Sequence, residues 1–369
     1  MARIVYFLGA GFSAPLGLPV MRDFLIKSKD MYFRDPDKWD HFFQIFQTIS
    51  KLHVVKSYYE ADLYNIEEIL SILEMHEGLF GKPDDSEDDT GPFRQYIADV
   101  IDNCTPEVTQ NQSLPANYWD HLLGGQQLWQ QYGFFAASLF GLQLQALTRQ
   151  GGQLSKPVRL HGSPVQGRHV YSVVTMNYDT VLERIVSCLA DQLDNKEELT
   201  TLRFADPELD VTAHPNEVFL TKLHGSSSSP KSIVPPTWNK SLRQDTLAPW
   251  KTAHELLRRA NHLRIIGYSL PESDAYVRYL LKSAAVEAPN LKTIDVICLD
   301  PDGSVEKRFK DFIDFNYYRF KNANVDKYLK DNHERHIKEF RIQAPASERN
   351  RARSFTKLED AHKEFMQAD

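Results

Sequence analysis

Five short apolar runs, each stopping abruptly at a glycine or a polar residue, constrain this chain more than any other feature. They are ARIVYFL (2–8), VYSVV from Val170, EVFLTKL from Glu217, HLRIIGY from His262 and TIDVICL from Thr293. Runs of this length, rich in β-branched and aromatic residues, read as buried strands. Between most of them the spacing is helical: DTVLERIVSCLADQL, WKTAHELLRRA and DAYVRYLLKSAAV place apolar residues three and four apart. Buried strands alternating with amphipathic helices predict an α/β fold, a Rossmann-like doubly wound parallel sheet.

The rhythm fails between residues 25 and 152. NIEEILSILEMHEGLF opens with an N-x-x-E capping box, Asn65 and Glu68, and puts Ile66, Ile69, Leu70 and Leu73 on one side. WDHLLGGQQLWQQYGFFAASLFGLQLQALTRQ also reads as mostly helical, broken at Gly124 and Gly125. Residues 25–152 are therefore expected to form a helical module inserted into a sheet domain made of 1–24 and 153–302. Residues 303–369 read as a charged, mainly helical C-terminal segment, with KYLKDNHERHIKEF as a surface helix and the last residues unattached. The acidic DDSEDDTG from Asp84 to Gly91 reads as a solvated loop.

Composition narrows the partners. A net charge of −7 provides no general field for nucleic acid, and none is expected to bind directly. The cysteines, Cys104, Cys188 and Cys298, are too scattered for a C-x-x-C pair, so no metal site is expected and reduced thiols of a cytoplasmic protein are. Gly9 and Gly11 interrupt the first apolar run before it could span a bilayer, and no membrane contact is expected.

The chemistry-bearing residues share one address. Gly9, Ala10, Gly11 and Ser13 follow the first run, where a G-x-G turn would let backbone N–H groups and a helix N-terminus meet a diphosphate. Asn177 and Asp179 follow VYSVVTM; His224 and Gly225 follow VFLTKL; Gly267, Tyr268 and Ser269 follow LRII; Asp300 follows DVICL. In an open parallel sheet, ligands bind beyond the carboxyl ends of the strands, so these ends outline one crevice. Ordinary structural roles compete at each position. The glycines suit a tight turn without ligand; Asn177 and Asp179 suit the start of the helix containing Leu182; Ser269 and Glu272 make an S-x-x-E capping box.

The motifs GAGFS, TMNYD, KLHGS, GYSLPESD and ICLDPD stand in the order found in sirtuin-like proteins, the silent-information-regulator-two superfamily. Over Met1–Phe24 and Val170–Asp302 the chain resembles the bacterial branch associated with antiphage defence. The resemblance implies NAD as substrate, with no metal. It places Gly9, Ala10, Gly11 and Ser13 at the diphosphate, Asn177 at the reactive ribose or a water, Asp179 at the nicotinamide carboxamide and His224 as general base beside Gly225. It places Gly267, Tyr268 and Ser269 toward phosphate or adenosine, Asp300 at the adenosine ribose, and Arg22 beyond the glycine loop, although LPVMRDF departs there from the family's usual IPDFR. Sirtuins that deacylate lysine carry a zinc ribbon of two cysteine pairs, which three cysteines cannot build. The resemblance thus implies an NAD hydrolase, releasing nicotinamide and ADP-ribose, that depletes NAD when activated by self-assembly into a homo-oligomer or by a defence partner such as a hexameric helicase-like ATPase. Two other readings stay open. One is a deacylase or ADP-ribosyltransferase with a peptide groove at IVPPTWNK around Trp238; the other is a module that binds NAD or ADP-ribose without turnover.

Overall fold

The computed structural model describes residues 2–80, 90–108, 127–146, 149–150, 153–154, 158–162, 169–191, 203–206, 208–234, 244–272, 274–286, 288–343, 352–354 and 358–368. Its centre is a six-stranded sheet in which every pairing is parallel. The strands are β1 (Arg3–Leu8), β6 (Val170–Thr175), β7 (Leu220–Lys222), β8 (His262–Ile266), β9 (Thr293–Cys298) and β10 (Tyr318–Asn322). Their spatial order, β10-β9-β8-β1-β6-β7, reverses direction between β1 and β8. This is the doubly wound α/β arrangement expected from the alternation of runs, and the reversal creates the crevice such sheets use for ligands.

Strand β1 explains why both faces are covered. Ile4, Tyr6 and Leu8 enter one core while Val5 and Phe7 enter the other, as the two-residue period of a strand dictates. The first core packs against α1 (Met21–Arg34), α2 (Phe42–Lys51), α3 (Ile66–Phe80), α4 (Thr90–Cys104), α5 (Gln127–Leu139) and α6 (Val181–Asp191). The second packs against α7 (Gln244–Arg258), α8 (Ala275–Val286) and α9 (Ser304–Phe312).

Three features depart from the sequence-based expectation. Helix α5 ends before Gly141, which has φ +61°, and Leu142–Ala146 becomes a strand, β2. After a short antiparallel pair, β3 (Arg149–Gln150) and β4 (Gln153–Leu154), comes β5 (Val158–Gly162); β2 pairs antiparallel with β5 and with β11 (Ala352–Ser354), because LQLQA alternates with a period of two. The sixth strand, β10, was hidden by its charges; YRFKN is an edge strand whose polar side chains stay half exposed. The helix after it, α10 (Val325–Gln343), matches the charged helical pattern. Finally, the C-terminal α11 (Leu358–Gln367) is not loose: Leu358, Glu359, Ala361, His362, Phe365 and Met366 are all buried. The acidic stretch before Thr90 and the IVPPTWNK stretch from Pro235 onward, Trp238 included, lie outside the described residues.

Helix α11 is held by a polar cluster beneath the sheet. Arg264 of β8 meets Glu359 through two hydrogen bonds, Nη1 to Oε1 at 2.8 Å and Nη2 to Oε2 at 2.5 Å. Arg264 also donates to Tyr6 Oη at 2.7 Å, and Tyr171 donates to Glu359 at 3.1 Å. His362 meets the Tyr328 hydroxyl at Nδ1 and the Asp295 carboxylate at Nε2, both at 3.0 Å. Burial, followed by the charge of Arg264, pulls His362 down to about 4. At neutral pH the imidazole is therefore neutral, with Nε2 donating to the carboxylate and Nδ1 accepting from the hydroxyl. Burial opposes the charge on Asp295, but hydrogen bonds from His362 and Arg319 prevail and hold it at about 2.

Candidate active site

The wall of the crevice begins with the turn after β1. Gly9 N donates to Ile266 O at 3.0 Å and Gly11 N to Gly267 O at 2.9 Å, so the tips of β1 and β8 are hydrogen-bonded together. A Cβ on Gly9 or Gly11 would lie 2.6 or 2.8 Å from Gly267 O, and one on Gly267, whose φ is +64°, would lie 2.4 Å from Phe12 N. The glycines are thus required by turn-on-turn packing, whatever else they meet. The sequence also predicts a helix N-terminus at this turn. Instead, short 3-10 turns, Ala10–Phe12 and Ala14–Leu16, follow it, and the first α-helix starts only at Met21.

Ala10, Gly11 and Ser13 line a cleft of about 820 Å³ together with Asn177, Asp179 and His224. Gly267, Tyr268 and Ser269 line it from the β8 side. Most of the residues placed by strand-end reasoning therefore meet in one space, of a size suited to a small-molecule or cofactor ligand. Asn177 sits at its centre. Its backbone N–H is held by Thr175 Oγ1 at 3.0 Å, and its side-chain NH₂ donates to Ser13 Oγ at 3.2 Å. Asn177 Oδ1 is buried and has no hydrogen-bond partner. Helix α6 begins at Val181, too far along for Asn177 to cap it. Asp179 does that work, its Oδ1 accepting from Val181 N at 3.1 Å.

His224 is almost fully buried, and its backbone is fixed on both sides. Leu223 N donates to Thr175 O, Trp250 Nε1 donates to Leu223 O, and Val234 N donates to His224 O. Gly225 follows with φ +85° and no room for a Cβ, which would meet Ser232 O at 2.1 Å; it shapes the turn without lining the cleft. Tyr268 donates to Asp274 Oδ2 at 2.7 Å, and burial, then that carboxylate, push its hydroxyl pKa well up. Helix α8 begins at Ala275, so the Ser269–Glu272 pair does not form its capping box. Cys298 also lines the cleft; burial, then Asp300, raise its thiol to about 11, leaving no thiolate nucleophile at neutral pH.

Two predicted positions stand apart. Asp300 is buried outside the cleft lining, and its carboxylate accepts from Val305 N and Glu306 N at 3.1 and 2.9 Å, capping α9. Arg22 lies in α1, with its side chain outside the described residues. Conversely, Asn65 and Glu67 at the start of α3, and Asn324 and Asp326 at the start of α10, line the cleft without having been singled out by strand-end reasoning. Their only local mark was helix initiation, as with Asn65 Oδ1, which accepts from Glu67 N and Glu68 N at 3.0 and 3.3 Å. Glu68 completes a wider box than expected, accepting from Asp62 N at 3.2 Å.

Among the described residues no group of three or more His, Cys, Asp or Glu side chains is arranged to hold a metal ion, and no helix is long and apolar enough to cross a membrane. No curated protein matches the chain. A crystal structure of Sir2 with the inhibitor EX-527, 2'-O-acetyl-ADP-ribose and a deacetylated p53 peptide aligns over 92% of this chain and 94% of that one, at 11% identity and a TM-score of 0.32. Residues 171–334, from β6 into α10 and including Asn177, Asp179 and His224, match the family model described as the SIR2-like domain.

Proposed function

We propose that the chain is an NAD glycohydrolase. In this reading water attacks the anomeric carbon of the nicotinamide ribose, the bond to nicotinamide breaks with its electron pair leaving on the nicotinamide nitrogen, and His224 takes the proton of the water. The products are nicotinamide, ADP-ribose and one proton, with no oxidant required. The observation that carries the reading is Asn177 Oδ1, a buried acceptor left unpaired in the cleft wall while Ser13 holds the other end of the amide. A buried acceptor without a partner is costly, and one in a cleft is satisfied when a hydroxyl of ligand or water reaches it. Asn177 thus suits the placement of a ribose hydroxyl or the attacking water, and a histidine suits proton transfer near neutral pH. The SIR2-like match over the same residues supports NAD as the substrate.

Ala10, Gly11 and Ser13 would then face the diphosphate, with Gly9 behind them shaping the turn. Asp179 would meet the carboxamide, and Gly267, Tyr268 and Ser269 the phosphate or adenosine side. Asp300 would support the adenosine end through α9 rather than by touching the ribose. Water is favoured over acyl-lysine as acceptor because three dispersed cysteines cannot form the zinc ribbon of lysine deacylases. We further propose a cytoplasmic antiphage effector that depletes NAD upon self-assembly or on engagement by a separate defence partner, since constant hydrolysis would harm the host.

The test is to incubate purified protein with NAD, by itself and with the product of its neighbouring gene, and follow nicotinamide and ADP-ribose by chromatography, beside His224→Ala and with an acyl-lysine peptide in a parallel arm. Release of both products by wild type and not by His224→Ala is expected. Peptide-dependent turnover would indicate a deacylase, and NAD binding without product in every arm would indicate a binding module.

A further inference from the structure

The helical region between β1 and β2 sends one carboxylate into the site. Glu67, in the first turn of α3, lines the cleft and places Oε1 3.8 Å from Nδ1 of His224. The same oxygen accepts from the Tyr178 hydroxyl at 3.3 Å, and the Tyr178 ring lies beside the imidazole, 6.0 Å between centroids at 36°. Three side chains from three separate segments therefore form one contiguous cluster. The start of α3 is fixed by the Asn65 cap, which anchors the backbone that carries Glu67.

We infer that Glu67 is a positioning residue for His224, holding Nδ1 toward its carboxylate so that proton uptake in the reaction falls to Nε2. This rests on the proposed role of His224 as base. The chemistry follows from the atoms. At 3.8 Å the contact is electrostatic rather than a full hydrogen bond, and it strengthens when the imidazole becomes charged. A carboxylate beside Nδ1 favours the tautomer carrying its proton there and stabilises the imidazolium formed after proton uptake. Burial, then Glu67, push the Tyr178 hydroxyl well above its ordinary pKa, so it remains a neutral donor that steadies the carboxylate. Glu74 of α3 and Asp274 before α8 also bear on the Tyr178 hydroxyl. Glu74 is bonded to Arg94 at 3.0 Å, and Asp274 to the Tyr268 hydroxyl.

The experiment combines two readouts on wild type, Glu67→Gln and Glu67→Asp. Ring-nitrogen NMR of His224 in the ligand-free protein reports the tautomer and the titration midpoint without any turnover. The pH profile of NAD cleavage, together with NAD affinity, reports the effect on the reaction. In wild type we expect the proton on Nδ1. Glu67→Gln should redistribute the tautomers, lower the midpoint and reduce kcat by roughly tenfold or more while NAD affinity stays within about twofold. Glu67→Asp should restore part of the loss. An unchanged His224 spectrum in Glu67→Gln would overturn the inference, as would a defect confined to NAD affinity. If wild type bound NAD but never cleaved it, the hydrolase reading would fail while the NMR comparison still decided the positioning role.

Discussion

Two buried polar clusters sit on this sheet and are built to opposite ends. Under β8, Arg264 and Glu359 pair through both carboxylate oxygens, and both nitrogens of His362 are engaged. At the strand tips, Asn177 has its NH₂ bonded and its Oδ1 open, and His224 faces Glu67 at a distance beyond a full hydrogen bond. The first cluster pairs its charged ends among protein atoms, Arg264 Nε apart, and fastens α11. The second leaves one acceptor, Asn177 Oδ1, for something to enter. Buried polar groups serve fold or ligand according to whether their partners are already present.

The largest expected effect separates the two most sharply. Arg264→Met should leave the Glu359 carboxylate buried without its cation, with only the Tyr171 hydroxyl donating to it, costing about 3–5 kcal/mol in urea unfolding, whereas adding Glu359→Leu should recover most of that loss. If the double variant were no better than the single one, the cluster would hold α11 through more than the pair. For Asn177→Ala the loss should fall on turnover instead, about a hundredfold in kcat, equivalent to ~2.7 kcal/mol. Its thermal unfolding should scarcely move, since an unpaired acceptor leaves with the lost hydrogen bond. A large drop in stability would erase the distinction between the clusters.

Acid should also discriminate. The folded state holds His362 at about 4 against an ordinary 6.5, so it binds fewer protons than the unfolded chain between those values. Stability therefore falls as pH drops through that window, and Asp295, held at about 2 against 3.8, extends the loss below it. Hydrogen exchange in α11 should accelerate over the same range, and His362→Gln should flatten the upper part of the curve. The smallest effect concerns Asp300→Asn, expected to cost about 1 kcal/mol through the cap of α9 with NAD affinity unchanged in calorimetry. A marked loss of affinity would return Asp300 to the ligand.

The sequence made the sheet readable because five runs are both apolar and abruptly ended, and those ends mark where ligands collect. It made the position of Asn177 and His224 on the cleft readable for the same reason. Glu67 was not, because an acid in the first turn of a helix is explained by the helix itself, and nothing local connects it to a histidine in another strand's tip. Strand β10 was concealed by the charges an exposed edge tolerates. Arg264 did carry a signal: an arginine inside HLRII, on a strand that must be buried, demands an anionic partner somewhere. Finding Glu359 as that partner required the fold, since the two are adjacent only after α11 docks.

The interlocked glycines have a mechanical consequence. With Gly9 and Gly11 bonded to Ile266 and Gly267, and no room for a side chain between the turns, the tips of β1 and β8 form a single rigid floor. A crevice with one immovable side changes its width only from the other. Here that side includes α3, which carries Glu67, so a movement of α3 that changes the width of the cleft also shifts the carboxylate next to the histidine.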